Sequence, residues 1–147
     1  YFGDLAETYI SVIITGGEPT IQPGLAGLVL SLKSAGAAVH VETNGTNPPP
    51  SGESAADWLT VSPKFGADIS AAAVGAADEL KIVWPQSSAN VRFLSDLRSR
   101  FASAGCKRFY LQPRWPVSEG DALAVSDLCR RLGFRLSCQM HKTWGLQ

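Results

Sequence analysis

Apolar residues along the chain recur in two patterns, short unbroken runs and longer helical stripes. The first run, Ile10–Ile14, is rich in β-branched residues and stops at two glycines, which is typical of a strand buried in a parallel sheet. The next apolar positions recur at the spacing of one helix face, at Leu25, Leu28, Val29 and Leu32. Gly36 ends that stripe, and the two segments together predict one βα unit.

Strand-like and helix-like segments then alternate to the end of the chain. Further strands are predicted at Ala38–Glu42, Trp58–Val61, Glu79–Trp84, Arg108–Leu111 and Phe134–Met140. The proline-rich segment 48–52 predicts a loop, and the alanine-rich segment 69–77 at most a short helix. Two longer helices follow, the first capped by Asn90 and the second by Ser118 with Asp121. Their predicted buried residues are Leu94, Leu97, Phe101, Val125, Leu128, Cys129 and Leu132.

This alternation predicts an α/β fold built on a mostly parallel sheet. Right-handed crossovers place the helices outside such a sheet, and a partial (β/α) barrel is its natural closure. No linker interrupts residues 1–147, which we interpret as a single domain. In barrels of this kind chemistry occurs at the C-terminal ends of the strands. Polar residues follow the predicted strands at that edge, at 15–20, 42–45, 62–64, 112–114 and 139–142.

Composition restricts the class of ligand. The 13 Lys and Arg residues balance 13 Asp and Glu residues, so no basic excess favours nucleic acid or a membrane surface. The apolar runs are shorter than the roughly 18 residues of a membrane-spanning helix, and the first residues lack a signal-peptide pattern. We therefore expect a cytoplasmic protein that binds a specific small molecule.

The cysteines Cys106, Cys129 and Cys138 are an odd number at wide spacings, which favours reduced thiols over a disulfide framework. The alternative is a zinc site that pairs Cys138 with His141. These two residues lie three positions apart, so on a strand their side chains point to opposite faces. We therefore predict that all three cysteines are buried core thiols.

The segment Gly16-Gly17-Glu18-Pro19 is the first candidate for ligand binding. Two glycines allow the backbone to approach a ligand closely, and their N–H groups suit a carboxylate. The carboxylate of Glu18 can accept hydrogen bonds from an ammonium group. Together they suit the zwitterion of an amino acid, and the alternative is that the segment is only a tight strand-to-helix turn.

Later strand ends offer further candidates. Glu42 and Asn44 provide acceptors for ribose hydroxyls or an amidine edge, although Asn-Gly is also a common turn dipeptide. Ser62 and Lys64 flank a proline that makes their loop rigid, which would hold both toward an anion. The alternative for Lys64 is a solvated surface lysine. His141 is either a ligand or an ordinary surface residue.

These segments, in this order, resemble the 7-carboxy-7-deazaguanine synthases, which are radical S-adenosylmethionine (SAM) enzymes of queuosine and deazapurine biosynthesis. The resemblance covers nearly all of the chain from Val12 onward. The segments that carry it are VIITGGEPT from Val12, VETNGT from Val41, VSPK from Val61, DELKIV from Asp78, FYLQP from Phe109 and LSCQMHKTWG from Leu136.

The resemblance implies a partial (β/α) barrel that binds SAM and a [4Fe-4S] cluster and forms a homodimer. The family converts 6-carboxy-5,6,7,8-tetrahydropterin to 7-carboxy-7-deazaguanine with loss of ammonia. A 5′-deoxyadenosyl radical derived from SAM starts that reaction, and Mg²⁺ assists the ring contraction. An electron donor such as a flavodoxin or a ferredoxin is a further implied partner.

The resemblance also implies roles for individual residues. Gly16, Gly17 and Glu18 would hold the methionine end of SAM. The residues that would contact its ribose or carboxylate are Glu42, Asn44, Ser62 and Gln112, with Lys64 and Lys81 as further candidates. The pterin would be faced by Thr15 and His141, and the terminal carboxylate of Gln147 would close the pocket.

The chain departs from the family pattern in its cysteines. Family members carry a Cys-x-x-x-Cys-x-x-Cys set, or a variant with a longer first gap, whose three thiolates bind the cluster. The spacings of Cys106, Cys129 and Cys138 do not match it, so we expect the cluster and Mg²⁺ ligands upstream of Tyr1. Two alternatives are a SAM- or pterin-binding α/β module without a cluster or catalysis, and an α/β domain whose strand-end motifs are only turns.

Overall fold

Six strands form one parallel sheet in the order of the sequence. The computed structural model describes residues 10–85 and 90–145, without the side chains of His141 and Thr143. The strands are β1 (Ser11–Ile14), β2 (Ala38–Thr43), β3 (Trp58–Val61), β4 (Glu79–Trp84), β5 (Arg108–Pro113) and β6 (Arg135–Leu136). The helices are α1 (Leu25–Ser34), α2 (Ala71–Ala76), α3 (Val91–Ser103), α4 (Glu119–Leu132) and α5 (Met140–Thr143). The predicted α/β architecture is confirmed, and the sheet is open because β1 and β6 are its edges.

Side-chain caps begin the two longest helices, as the sequence predicts. Asn90 Oδ1 accepts from the Phe93 N–H at 3.1 Å, and Ser118 Oγ accepts from the Asp121 N–H at 3.1 Å. Gly133 ends α4 with a φ of 70°, a conformation that glycine adopts without steric cost. In the described ranges no helix is long and apolar enough to cross a membrane.

The two faces of the sheet differ in polarity. One face carries the core, and its buried residues include Val39, Val41, Leu59, Val61, Leu80, Ile82 and Leu111. The strands run in one direction and add in sequence order, so right-handed crossovers place the helices on this face. The intervening positions point the other way and form what we call the polar face: His40, Glu42, Thr60, Glu79, Lys81 and Gln112.

The predicted sixth strand is present but is shorter than the predicted range Phe134–Met140. β6 covers only Arg135–Leu136, and its ladder with β5 ends where the Ser137 N–H donates to the Leu111 carbonyl at 3.0 Å. The next bond of a parallel ladder would need an N–H from Pro113, which has none. Helix α5 begins at Met140 instead.

Two predictions of burial also need correction. Cys106 and Cys129 are buried as predicted, but Cys138 is exposed because it follows the short edge strand β6. Leu28 is 47% exposed although it belongs to the predicted stripe of α1. It lies over a cleft beside edge strand β1, where the described chain has no further strand to cover it.

Candidate functional site

The carboxylate of Glu18 joins the ends of the first two strands. Its Oε1 accepts from the Thr20 N–H at 3.1 Å, from Thr20 Oγ1 at 2.6 Å and from Thr43 Oγ1 at 2.5 Å. Its Oε2 accepts from the Asn44 N–H at 2.7 Å. Thr20 belongs to the loop after β1 and Thr43 ends β2, so one side chain fixes two loops of the rim.

These hydrogen bonds favour the charged form of Glu18. Burial by itself would raise the pKa of this carboxyl, but bonds from Thr20, Thr43 and Asn44 outweigh burial and lower it below 4.5. The group is an anion at neutral pH, and its hydrogen bonds stabilise that state. Three donors converge on Oε1 and one on Oε2, so Oε2 keeps capacity to accept from a ligand.

A lowered pKa predicts a loss of stability in acid. The folded chain binds the Glu18 proton more weakly than the unfolded chain, so this stabilisation is complete above pH 4.5 and is lost as pH falls through the folded pKa. We expect the free energy of unfolding to fall less steeply below pH 4.5 in Glu18→Gln than in the unmodified chain. Urea denaturation at several pH values measures this, and parallel curves would contradict it.

The glycine pair before Glu18 is open to a ligand. Gly16 has a φ of +126°, which side chains rarely allow, and a Cβ built on Gly16 or Gly17 would have no atom within 4 Å. Thr15, Gly17 and Glu18 line one end of the cleft of about 520 Å³ that Leu28 overlies beside β1. The backbone here therefore has both the conformation and the space for close contact with a small molecule.

The second part of the rim is the turn after β2 together with the end of β3. Asn44 Oδ1 accepts from the Thr46 N–H at 2.8 Å and from Thr46 Oγ1 at 2.7 Å, which leaves the Asn44 side-chain amide as the donor for a ligand. The Ser62 N–H donates to the Thr43 carbonyl at 2.8 Å, so Ser62 lies beside Asn44. Glu18, Asn44 and Ser62 are thus brought together by three strand ends.

The side chain of Glu42 in β2 is held by a lysine of β4, two strands away in the sheet. Lys81 Nζ of β4 lies 2.7 Å from Glu42 Oε1 of β2, across β3 on the polar face. Both side chains are half-buried, so the ion pair fixes their positions more firmly than an exposed pair would. The second oxygen of Glu42 is the one that can accept from a ligand.

The remaining predicted residues lie farther along the rim or beyond the described atoms. Gln112 is buried in β5, where its Oε1 lies 3.5 Å from Ser137 Oγ, and it shares the polar face with Glu42. Lys64 is exposed beyond the buried Pro63. His141 lies in α5 without a described side chain, and Gln147 lies outside the described residues.

Sequence reasoning missed Thr43. It follows Val39 and Val41 on the core face of β2, where a third apolar residue would be expected, and it is only 3% exposed. A polar side chain at a core position of a strand end was the available signal, because burial of a hydroxyl is costly without hydrogen bonds.

The cysteines of this chain do not fit a cluster. Cys106 precedes β5 and its Sγ donates to the Asp78 carbonyl at 3.4 Å, so it lies at the N-terminal edge of the sheet. Cys138 follows β6 at the opposite edge, and Cys129 is buried in α4. Among the described residues, no group of three or more His, Cys, Asp or Glu could hold a metal ion.

The open parallel sheet, with helices on one face and a polar C-terminal rim, matches the fold of solved structures. The Escherichia coli QueE crystal structure matches 91% of the chain and 58% of QueE, with a TM-score of 0.69 and 28% identity. Streptococcus suis SuiB, in a crystal structure bound to SAM, shares the fold at 12% identity, with a TM-score of 0.55. That match covers 87% of this chain and 37% of SuiB.

Relatives of similar sequence are 7-carboxy-7-deazaguanine synthases. The chain is 37% identical over 138 residues to the 7-carboxy-7-deazaguanine synthase of Bradyrhizobium diazoefficiens. It is 39% identical over 137 residues to that of Caulobacter vibrioides. Each match covers 92% of this chain and 59% of the relative, so the chain spans about three fifths of the length of these curated relatives. No family model matches the chain. The predicted resemblance to the 7-carboxy-7-deazaguanine synthases is confirmed.

Proposed function

We propose that this chain is the SAM- and pterin-binding part of a 7-carboxy-7-deazaguanine synthase, a radical SAM lyase. Its reaction is the conversion of 6-carboxy-5,6,7,8-tetrahydropterin to 7-carboxy-7-deazaguanine in queuosine and deazapurine biosynthesis. The observation that carries the proposal is the bond between Glu18 and Asn44, which joins the glycine loop to the next strand end. The names of the sequence relatives support the same reaction.

The methionine end of SAM binds at the first strand end in this proposal. The N–H groups of Gly16 and Gly17 donate to its carboxylate, and Oε2 of Glu18 accepts from its ammonium. The anionic state of Glu18 supports this assignment, because a charged acceptor roughly doubles the strength of such a bond. SAM together with a reduced [4Fe-4S] cluster supplies the radical chemistry.

The ribose and the pterin bind along the rest of the rim. The residues that contact the ribose or carboxylate of SAM are Glu42, Asn44, Ser62 and Gln112, with Lys64 as a further candidate. Lys81 orients Glu42 through their ion pair. Thr15 and His141 face the pterin, and the terminal carboxylate of Gln147 closes the pocket.

The ligands of the cluster and of Mg²⁺ belong to sequence outside these 147 residues in this proposal. The described residues support this, because Cys106 and Cys138 lie at opposite edges of the sheet. The active protein is a homodimer in the cytoplasm that takes its electron from a flavodoxin or a ferredoxin. The position of the cysteines equally suits a SAM- or pterin-binding module without a cluster, which is the second candidate.

Calorimetric titration of the chain with SAM tests SAM binding, which both candidate functions include. Replacement of Glu18 by Gln keeps the shape of the side chain but removes its charge, which we expect to cost about 1.5 to 3 kcal/mol of binding free energy. Glu53→Gln is the control, because Glu53 is an exposed carboxylate in the 3-10 turn Gly52–Ser54. Equal SAM affinity in all three proteins would rule out the assigned role of Glu18.

Titration with the pterin, followed by a turnover assay, separates the two candidates. The first candidate predicts SAM-dependent formation of 7-carboxy-7-deazaguanine when the cysteine loop is supplied. Binding of SAM and pterin without turnover under those conditions would favour the module.

A further inference from the structure

We infer that Thr43 is a positioning residue that holds the amino-acid end of the SAM site in its binding geometry. The inference rests on the proposed function, in which Gly16, Gly17 and Glu18 bind that end of SAM. Thr43 would not touch SAM itself, since its side chain lies on the core face of β2 and is 3% exposed.

The hydroxyl of Thr43 links two loops. It donates to Glu18 Oε1 at 2.5 Å and accepts from the Gly45 N–H at 3.0 Å. Its donor and one of its acceptor sites are therefore both used, one toward the loop after β1 and one within the turn after β2. A methyl group in place of the hydroxyl would leave the Gly45 N–H without this partner and would remove one of the donors to Glu18.

The second contact matters because Gly45 cannot move toward the core. A Cβ on Gly45 would lie 2.7 Å from Val61 Cγ1, so the turn already packs closely against β3. With Gly45 fixed in this way, Thr43 sets the position of Glu18 relative to the turn. The Asn44 N–H then meets Glu18 Oε2 at 2.7 Å.

This chain of contacts makes a specific prediction about affinity. Loss of the Thr43 hydroxyl should allow the Glu18 carboxylate to shift, which weakens contacts to the amino-acid end of SAM more than those that the turn at Asn44 makes to its nucleoside end. We expect Thr43→Val to bind SAM about tenfold more weakly, the effect of one charge-assisted hydrogen bond. Binding of 5′-methylthioadenosine, which has the nucleoside but no amino-acid end, should weaken less than binding of SAM. Thr43→Ser, which keeps the hydroxyl, should restore the affinity for SAM.

Thr60→Val is the matched control. Thr60 is as deeply buried as Thr43, but it lies on the polar face of β3 and its hydroxyl is 2.8 Å from His40 Nε2. A loss of stability alone would affect both valine variants, whereas the positioning role predicts that only Thr43→Val discriminates between the two ligands. In the Glu18→Gln background, Thr43→Val should weaken SAM binding little further, because both substitutions disrupt the same contact between Thr43 and Glu18.

Amide hydrogen exchange followed by NMR completes the experiment and does not depend on SAM. We expect faster exchange of the Asn44 and Gly45 amides in Thr43→Val, with protection restored in Thr43→Ser. Unchanged amide protection would overturn the inference, and so would equal weakening of SAM and 5′-methylthioadenosine. If the unmodified chain keeps these amides protected but does not bind SAM, the proposed function fails while the link between the two loops stands.

Discussion

Replacement of Gly45 by alanine is expected to destabilise the chain by about 2 to 5 kcal/mol. About 1 to 2 kcal/mol comes from forcing a side chain into a left-handed conformation, since Gly45 has a φ of +80°. The rest, about 1 to 3 kcal/mol, comes from overpacking. The new Cβ would lie 2.7 Å from Val61 Cγ1 and 3.2 Å from Ile69 Cγ2, and both neighbours are buried.

Gly66→Ala separates the two contributions. Gly66 has nearly the same φ, +78°, but a Cβ there would have no atom within 4 Å. The Gly66→Ala variant should therefore be destabilised by the conformational contribution alone, without the contribution from overpacking. Urea denaturation of the three proteins measures both differences, and equal losses in the two variants would show that the contact with Val61 has no energetic cost.

The strands and helices were largely predictable because their signals are local. The run Trp58–Val61 and the caps Asn90 and Ser118 are each determined by a few adjacent residues, and each is found where predicted. The length of the sixth strand was not predictable in this way. Its end depends on Pro113, which lies more than twenty residues earlier in the chain and is its neighbour only in the folded sheet.

The candidate site shows the same difference between features that follow from local sequence and features that depend on contacts in the folded sheet. The positions of its residues follow from the fold, because polar residues after parallel strands must meet at one edge. Their mutual contacts do not follow. The bonds of Glu18 to Thr43 and Asn44, and of Glu42 to Lys81, join different strands and depend on register and side-chain conformation. Glu18 and Glu42 could therefore be proposed from the sequence, but the contact of Thr43 with Glu18 could not.

Cys138 shows a third reason why the structure differs from the prediction, because it is exposed where burial was predicted. An apolar neighbourhood in the sequence predicts burial only if another element covers that residue in the fold. Cys138 follows an edge strand of two residues, and it lies beside an apolar cleft of about 310 Å³ lined by Trp115, Val117 and Leu136. The cleft leaves the thiol exposed.

The positions of the cysteines predict that this chain cannot assemble an iron–sulfur cluster by itself. A [4Fe-4S] cluster needs several thiolates within a few ångströms of one another. Burial raises the pKa of the Cys106 and Cys129 thiols, which disfavours the thiolate form that binds iron. Cys106 and Cys138 are also separated by the length of the sheet, and a six-residue strand such as β5 spans about 20 Å.

We therefore expect the 147-residue chain to assemble no cluster when it is treated anaerobically with iron and sulfide. Its visible spectrum should lack the broad absorption of a cluster, and it should not cleave SAM in the presence of dithionite. A protein in which a relative's Cys-x-x-x-Cys-x-x-Cys segment precedes Tyr1 should do both. The control replaces Cys106, Cys129 and Cys138 with serine in that longer protein, which should still assemble its cluster because the added loop supplies all three thiolates. If instead the 147-residue chain formed a cluster, and replacement of the same three cysteines in that chain abolished it, its own cysteines would be the ligands. The proposal that the cluster ligands lie outside these residues would then be wrong.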